Sequence, residues 1–253
     1  MKYLRFNHND KPVWASLEGD TAKILSAAPY NGGERTGETV PLDGIKLLAP
    51  CEPEKIVAVG KNYFDHIKEI GGDDAPVPET PILFIKPPSA IIGPEDNIMY
   101  PEISERVDHE AELAFIMKKD AKNVKAENAL EYILGYTCLN DVTARDIQRK
   151  DGQWTRAKSF DTFAPVGPIV TDEVDPSDLH VECRVNGEVR QSSSTSCFMW
   201  KISELVEFIT SCMTLKAGDV VTTGTPSGIS PLNRGDKVEI ELEGIGILTN
   251  YIV

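Results

Sequence analysis

The sequence alternates apolar and polar residues in short runs that turn residues separate. In "HVECRVNGEVRQSS", which starts at His180, apolar residues take every second position over 181–185, and the dipeptide NG that follows suits a type I′ turn. The C-terminal "KVEIELEGIGILTNYIV" repeats the pattern around a second glycine turn. A period of two places the apolar side chains of a strand on one face. We therefore predict an α+β fold, mostly β, with a twisted, largely antiparallel core and few helices.

Three segments are predicted to be helices. "NYFDHIKEI" (62–70) and "KISELVEFITSCMTL" (201–215) place their apolar residues three and four positions apart, which is the spacing of one helix face. "ENALEYIL" (127–134) also reads as a helix that precedes a strand.

The chain is predicted to divide near residue 50. Short strands fill the first 25 residues, and 27–45 have little periodicity, which indicates a loop. Pro50 and Pro53 then interrupt regular structure. We predict a small N-terminal β domain over 1–50 and a catalytic domain over 51–253.

Composition excludes several classes of protein. The 253 residues include 40 acidic and 26 basic ones, for a net charge of -14, so a nucleic-acid partner is not expected. Five scattered cysteines without a CxxC motif argue against a disulfide framework and against a thiolate zinc site. No run has the length of a signal-peptide core or a transmembrane helix. We expect a cytoplasmic protein that has no membrane partner.

The stretch "DHEAELAFIM" (108–117) sets carboxylates against an apolar run. On a strand, Glu110 and Glu112 share a face with Cα atoms about 7 Å apart. They would repel by roughly 2 kcal/mol at an effective dielectric constant of about 20, and burial adds to that cost. A hard divalent cation removes both penalties: Mg²⁺ first, then Mn²⁺ or Ca²⁺. Asp141, at the end of "GYTCLND", offers a third carboxylate. The alternative is a solvated strand face with an unrelated turn aspartate.

His66 precedes Glu69 by three residues, so both lie on one face of the predicted helix. A carboxylate beside an imidazole orients it and raises its basicity, which makes a general-base pair. The alternative is a chance pair on the surface. His109 falls on the strand face opposite to the two glutamates, and we expect it to be structural.

Seven segments, in this order, resemble the fumarylacetoacetate hydrolase family, and among its members the bacterial acylpyruvases and 2-hydroxyhepta-2,4-diene-1,7-dioate isomerases. The resemblance covers 55–253, and the segments within it read "VGKNYFDHIKE", "PILFIKPPSAIIGP", "VDHEAELAFIM", "GYTCLNDVTARDIQ", "AKSFDTFAPVGP", "VNGEVRQSSSTSCFMW" and "GDVVTTGTPSG". The resemblance implies a mixed β-roll or β-sandwich core, a small N-terminal domain and a homodimer.

The resemblance also implies roles for individual residues. It assigns Mg²⁺ or Mn²⁺ to Glu110, Glu112 and Asp141, and catalysis to His66, Glu69 and Lys158. Substrate contacts fall to Arg145, Gln148 and Thr225, and Lys61 is expected to add positive charge to the same pocket.

The implied reaction is hydrolysis of a C–C bond in 2,4-diketo acids such as acylpyruvates, through a pyruvate enolate held on the metal. Lys158 either stabilises the tetrahedral intermediate with Gln148 or protonates the enolate. Isomerisation of 2-hydroxy-diene-dioates and decarboxylation of oxaloacetate stay open. The predicted base at His66 favours hydrolysis, because decarboxylation needs no base. An alternative of another class is a non-catalytic protein that binds carboxylates or a metal.

Overall fold

Three β-sheets organise the chain in the computed structural model, which describes residues 1–253. The strands are β1 (Lys2–His8), β2 (Lys11–Glu18), β3 (Thr21–Leu25), β4 (Arg35–Pro41), β5 (Leu47–Leu48), β6 (Ile56–Gly60), β7 (Ile82–Lys86), β8 (Ile91–Ile92), β9 (Asn97–Ile98), β10 (Val107–Asp108), β11 (Ala111–Met117), β12 (Ile133–Asn140), β13 (Thr143–Ala144), β14 (Ala164–Thr171), β15 (His180–Val185), β16 (Glu188–Ser194), β17 (Val220–Thr222), β18 (Pro231–Leu232), β19 (Lys237–Leu242) and β20 (Gly246–Ile252). The α-helices are α1 (Phe64–Gly71), α2 (Arg145–Asp151), α3 (Thr155–Lys158) and α4 (Ile202–Cys212). The mostly β prediction is confirmed.

The largest sheet has twelve strands, ten of them in the order β4-β3-β2-β1-β14-β12-β11-β17-β6-β7, and it is mixed. Most neighbours are antiparallel, but β17 runs parallel to β6, and β8 runs parallel to β14. The N-terminal strands join this sheet because β1 pairs with β14. The division of the chain near residue 50 remains a prediction.

A five-stranded sheet, in the order β16-β15-β19-β20-β9, packs against the large one. Phe115 of β11 lies in the same buried apolar cluster as Val181, Ile240 and Leu248 of the smaller sheet. The turn between β15 and β16 has positive φ at both central residues, 53° and 82°, as a type I′ turn requires. The period of two therefore predicted both the hairpin and its buried face.

One local prediction was wrong, and another is confirmed only in part. The segment 27–45 contains β4, whose residues are mostly exposed and polar, so no apolar period marks it. The helix predicted over 127–134 is confirmed as far as Tyr132, as a 3₁₀ helix over Ala126–Tyr132, but Ile133 and Leu134 begin β12. An apolar run this short does not separate helix from strand, and pairing with β11 decides it here.

None of the four α-helices is long and apolar enough to cross a membrane. All five cysteines are free, and three of them are buried. The strand pair β11–β12 positions the candidate site, because its register places Asp141 beside the segment that contains Glu110 and Glu112.

Candidate active site

A cavity of 460 Å³ opens beside the β11–β12 pair. All ten residues that the sequence analysis singled out for metal, catalysis or substrate line it: Lys61, His66, Glu69, Glu110, Glu112, Asp141, Arg145, Gln148, Lys158 and Thr225. The structure thus brings together residues from distant segments, while their chemical roles remain proposals.

The strand register assembles three buried carboxylates, which we call the carboxylate triad (Glu110, Glu112 and Asp141). Ala111 pairs with Asn140, so Asp141 follows directly across from Glu110. The Asp141 amide donates to the Glu110 carbonyl at 2.9 Å, and the Glu110 amide donates to Asn140 Oδ1 at 2.9 Å. One carboxylate oxygen from each member of the triad lies within 4.8 Å of the other two.

Cations neutralise two members of the triad. Lys158 Nζ lies 2.7 Å from Glu110 Oε2 and 2.6 Å from Asp141 Oδ2. Arg145 also contacts Glu110, and Lys86 contacts Asp141. Burial alone would raise the pKa of Glu110, but the charges of Lys158 and Arg145 outweigh it and hold that pKa well below its usual range. Burial would lower the pKa of Lys158, but Asp141 and Glu110 raise it, so the lysine stays charged.

Glu112 has no cation beside it. Its carboxylate accepts hydrogen bonds from the Thr222 hydroxyl and, at 2.8 Å, from the Gly224 amide. Burial first, and then the charges of Asp141 and Glu110, raise the pKa of Glu112 well above its ordinary value. The triad therefore combines crowded hard oxygen donors with one carboxylate that lacks a counter-charge. These residues fit a divalent cation such as Mg²⁺ or Mn²⁺.

Lys86 is a member of this cluster that the sequence analysis did not identify. It ends β7, is fully buried, and donates to the Val142 carbonyl at 3.3 Å besides its contact with Asp141. Burial lowers its pKa, partly offset by Asp141. The available signal was a lysine inside the apolar run "PILFIKPP", where a charge is costly unless it is paired.

Asp108 was also missed as a site residue. It is fully buried and accepts from Arg145 Nε at 2.9 Å and from Arg106 Nε at 2.8 Å. Arg145 Nη1 in turn donates to Gln148 Oε1 at 2.6 Å, one turn further along α2. The guanidinium of Arg145 is therefore held from two sides, and both it and Gln148 reach the cavity.

His66 and Glu69, which we call the His–Glu pair, lie on α1 at the cavity wall. His66 Nδ1 is 3.0 Å from Glu69 Oε2, and the Gly228 amide donates to Glu69 Oε1 at 2.8 Å. A carboxylate only accepts, so Nδ1 carries the hydrogen. Nε2 has no hydrogen-bond partner within the chain, and it is left as a base in a nearly buried position.

His109 is structural, as predicted. Its Nδ1 lies 3.0 Å from Gln191 Oε1 and its Nε2 lies 2.8 Å from Ser230 Oγ. Burial lowers its pKa, which keeps the ring neutral with both nitrogens satisfied.

Two cations at the cavity have no ion-pair or hydrogen-bond partner for their side chains within the chain: Lys61 and Arg149. Lys61 adopts a φ of 59°, a left-handed conformation that side chains rarely take outside turns and functional sites. In a chain of net charge -14, these two unpaired cations make the charge at the cavity locally more positive.

Aromatic rings form another wall. Trp154 packs on the backbone of Gly60, where an added Cβ would lie 2.3 Å from the indole. Phe84 meets Trp154 edge to face at 5.3 Å between ring centroids, and Lys158 Nζ lies 5.1 Å from the Phe84 centroid. The cavity thus sets a flat apolar wall beside a dense group of charges.

Fold and cavity together define a class of protein: a mostly β scaffold that holds a metal-competent carboxylate triad and an oriented imidazole in one cavity. The chain belongs to the fumarylacetoacetate hydrolase family. Residues 55–253 match the family model described as "Fumarylacetoacetate (FAA) hydrolase C-terminal", and 1–50 match one described as "Rv2993c-like, N-terminal". This confirms the resemblance, and the proteins of this family are enzymes.

Similar proteins of known name differ in their reactions. A solved structure of 5-carboxymethyl-2-hydroxymuconate delta-isomerase from Mycobacterium smegmatis is 46% identical, with a TM-score of 0.93, covering 100% of this chain and 99% of that one. Oxaloacetate tautomerase FAHD2A, mitochondrial, from Bos taurus is 43% identical over 85% of this chain and 71% of that protein. A maleylpyruvate hydrolase structure from Sphingobium sp. SYK-6 is 28% identical, with a TM-score of 0.81, covering 100% and 99%.

Proposed function

We propose that the protein is a divalent-metal-dependent enzyme that moves a proton at the carbon beside the keto group of 2-oxo acids, interconverting enol and keto forms. The observation that carries this proposal is the His–Glu pair, whose free Nε2 shares one cavity with the carboxylate triad. The tautomerase at 43% identity and the isomerase at 46% support it, because both of their named reactions relocate protons.

The carboxylate triad would hold the metal, and Mg²⁺ or Mn²⁺ suits its oxygen donors. When bound, such an ion stabilises negative charge that develops on substrate oxygens.

The His–Glu pair supplies the base. His66 Nε2 accepts the proton, and the Glu69 carboxylate at Nδ1 stabilises the imidazolium that forms. The Gly228 amide fixes the far oxygen of Glu69, so the imidazole is oriented before substrate arrives. His66 is 5% exposed, so its contact with solvent is limited to the cavity side.

Charged side chains bind and stabilise the substrate. Lys158, kept charged by its neighbours, stabilises the enolate oxygen and can return a proton. Arg145, held by Asp108, binds a carboxylate. The unpaired Lys61 and Arg149 favour a substrate with a second negative charge.

A second candidate is hydrolysis of 2,4-diketo acids such as acylpyruvates. The specific observation is the size of the cavity: at 460 Å³ it falls within the range of about 300–1,000 Å³ that takes drug-sized ligands, so a longer acyl chain and a water fit beside His66. In this reaction His66 takes a proton from water, and the hydroxide attacks the distal carbonyl. The C–C bond then breaks to a carboxylic acid and the enolate of pyruvate, which is protonated at carbon.

The test compares substrates with and without metal. We expect the protein with Mg²⁺ or Mn²⁺ to accelerate loss of the ultraviolet absorbance of enol-oxaloacetate, and EDTA to abolish this. A wild-type protein that leaves enol-oxaloacetate untouched but cleaves acetylpyruvate or fumarylpyruvate would establish the second candidate. Release of CO₂ from oxaloacetate, independent of His66, would identify a decarboxylase. A metal that raises the melting temperature without turnover of any 2-oxo acid would identify a binding protein.

His66→Ala should lower the rate by about 10²–10⁴-fold, the usual contribution of a general base. The matched control is His8→Ala, because His8 forms a comparable pair with Glu38, at 2.9 Å, on a strand outside the cavity. Equal rates in the two variants would remove His66 from the mechanism.

A further inference from the structure

Gln191 of β16 forms hydrogen bonds both to β11, the strand that carries Glu112, and to the loop that follows β17. It is 1% exposed. Its Oε1 accepts from the Ala111 amide and from His109 Nδ1, both at 3.0 Å. Its Nε2 donates to Thr225 Oγ1 at 2.7 Å and to the Pro226 carbonyl at 2.8 Å. One buried side chain therefore makes four hydrogen bonds, two on each side.

Two of these partners fix the orientation of the amide. The Ala111 amide can only donate, and the Pro226 carbonyl can only accept. Exchanging the nitrogen and oxygen of Gln191 would face donor with donor and acceptor with acceptor. The amide nitrogen of Gln191 therefore points to Thr225.

This orientation of Gln191 fixes the hydrogen-bonding role of the Thr225 hydroxyl. Its oxygen accepts from Gln191, and its own hydrogen has no acceptor among the hydrogen bonds of the chain. Thr225 is 2% exposed and lines the cavity. A buried hydroxyl normally donates as well as accepts, so its hydrogen is left for an oxygen in the cavity.

We propose that Gln191 is a positioning residue that commits the Thr225 hydroxyl to donate a hydrogen bond to a carboxylate or keto oxygen of the substrate. The inference rests on the proposed function for the identity of that substrate as a 2-oxo acid. Gln191 also sets where this donor lies relative to the metal site, because Ala111 stands between Glu110 and Glu112. The same loop binds Glu112 through Gly224, so the substrate donor and the triad form one hydrogen-bonded unit.

The perturbation is Gln191→Glu. A carboxylate at this position still accepts from Ala111, but its second oxygen accepts from the Thr225 hydroxyl and draws the hydrogen away from the cavity. The probe is oxalate, whose adjacent oxygens mimic a 2-oxo acid, titrated calorimetrically in the presence of Mg²⁺. We expect oxalate to bind about tenfold more weakly, the usual effect of losing one hydrogen bond to a charged group. With oxaloacetate, KM should rise more than kcat falls.

A double-mutant cycle separates positioning from added charge. Thr225→Val, which lacks the donor, should weaken oxalate about tenfold, and Thr225→Ser, which keeps it, should not. In the Thr225→Val background, Gln191→Glu should add little, whereas plain electrostatic repulsion of oxalate would persist there. Gln191→Met is the neutral replacement if the glutamate variant does not fold, with the same loss expected and the same dependence on Thr225.

The proposal would be overturned if the double variant lost oxalate affinity by the product of the two single-variant factors, since the two positions would then act independently. Full oxalate affinity in Thr225→Val would also overturn it. Failure of the proposed function looks different: the wild-type protein would bind oxalate in the expected pattern but turn over no 2-oxo acid.

Discussion

The two glutamates of "EAE" are two residues apart, yet the structure predicts opposite outcomes for their replacement. Glu110 is held ionised by Lys158 and Arg145, whereas Glu112 has no cation and a pKa raised well above its ordinary value by burial and by the charges around it. In the metal-free protein these surroundings favour the neutral form of Glu112, so replacing its carboxyl by the neutral amide of Glu112→Gln, which has a similar shape, should cost little. Glu110→Gln instead removes one buried ion-pair partner from each of two buried cations, leaving Lys158 with Asp141 and Arg145 with Asp108.

The magnitudes follow from these environments. Removing one partner of a buried ion pair costs about 3–5 kcal/mol, so Glu110→Gln should lower the metal-free melting temperature by roughly 6–20 °C at about 2–4 °C per kcal/mol. Glu112→Gln should lower it by no more than about 2–4 °C, because less than about 1 kcal/mol is at stake. Metal at one hundred times its Kd stabilises the wild type by about 2.7 kcal/mol, or roughly 5–11 °C. Glu112→Gln should lose most of that gain.

The assay is thermal unfolding of both variants and the wild type in EDTA and across a Mg²⁺ or Mn²⁺ series. Far-ultraviolet circular dichroism confirms that each variant is folded at the starting temperature. If Glu110→Gln and Glu112→Gln lowered the melting temperature in EDTA by the same amount, Glu110 would not be the only one of the two glutamates that is charged. A Glu112→Gln variant with the full metal-induced gain would remove Glu112 from the metal site.

Three further outcomes are expected. A metal requires the ionised form of Glu112, which burial and nearby charges disfavour, so metal affinity should increase with pH, by at most about tenfold per pH unit, until the pH passes the raised pKa of Glu112. Calorimetry in buffers of different ionisation enthalpy would measure the protons released on metal binding. Arg149→Gln should lower kcat/KM about tenfold for a dianionic 2-oxo acid. Lys150→Gln makes the same charge change on the same helix but outside the cavity, and it should change kcat/KM less than about twofold. Equal effects of the two substitutions would indicate long-range electrostatic steering only. Gly60→Ala should displace Trp154 and destabilise the fold by about 1–3 kcal/mol, because the added Cβ would lie 2.3 Å from the indole. An unchanged melting temperature would contradict the packing.

The local spacing of residues in the sequence predicted much of the fold and of the candidate site. The alternation in "HVECRVNGEVRQSS" defined a hairpin and its buried face, because strand side chains change face at every residue. The same rule placed Glu110 and Glu112 on one face, and the three-residue spacing of His66 and Glu69 placed them within contact on a helix turn. In each case the residues are close enough in the chain for backbone geometry alone to set their relation.

Tertiary structure alone decided which charges meet. Lys86 is 55 residues from Asp141, and Gln191 is 80 residues from Ala111, yet each pair is in direct hydrogen-bonding contact. Strand order and register bring such residues together, and these depend on the packing of whole sheets rather than on any local period. The same packing leaves Glu112 as the one member of the carboxylate triad without a cation. By itself, the sequence determined the acidic face; only the fold decided which of its carboxylates stays charged, because burial and neighbouring charge set the pKa of each.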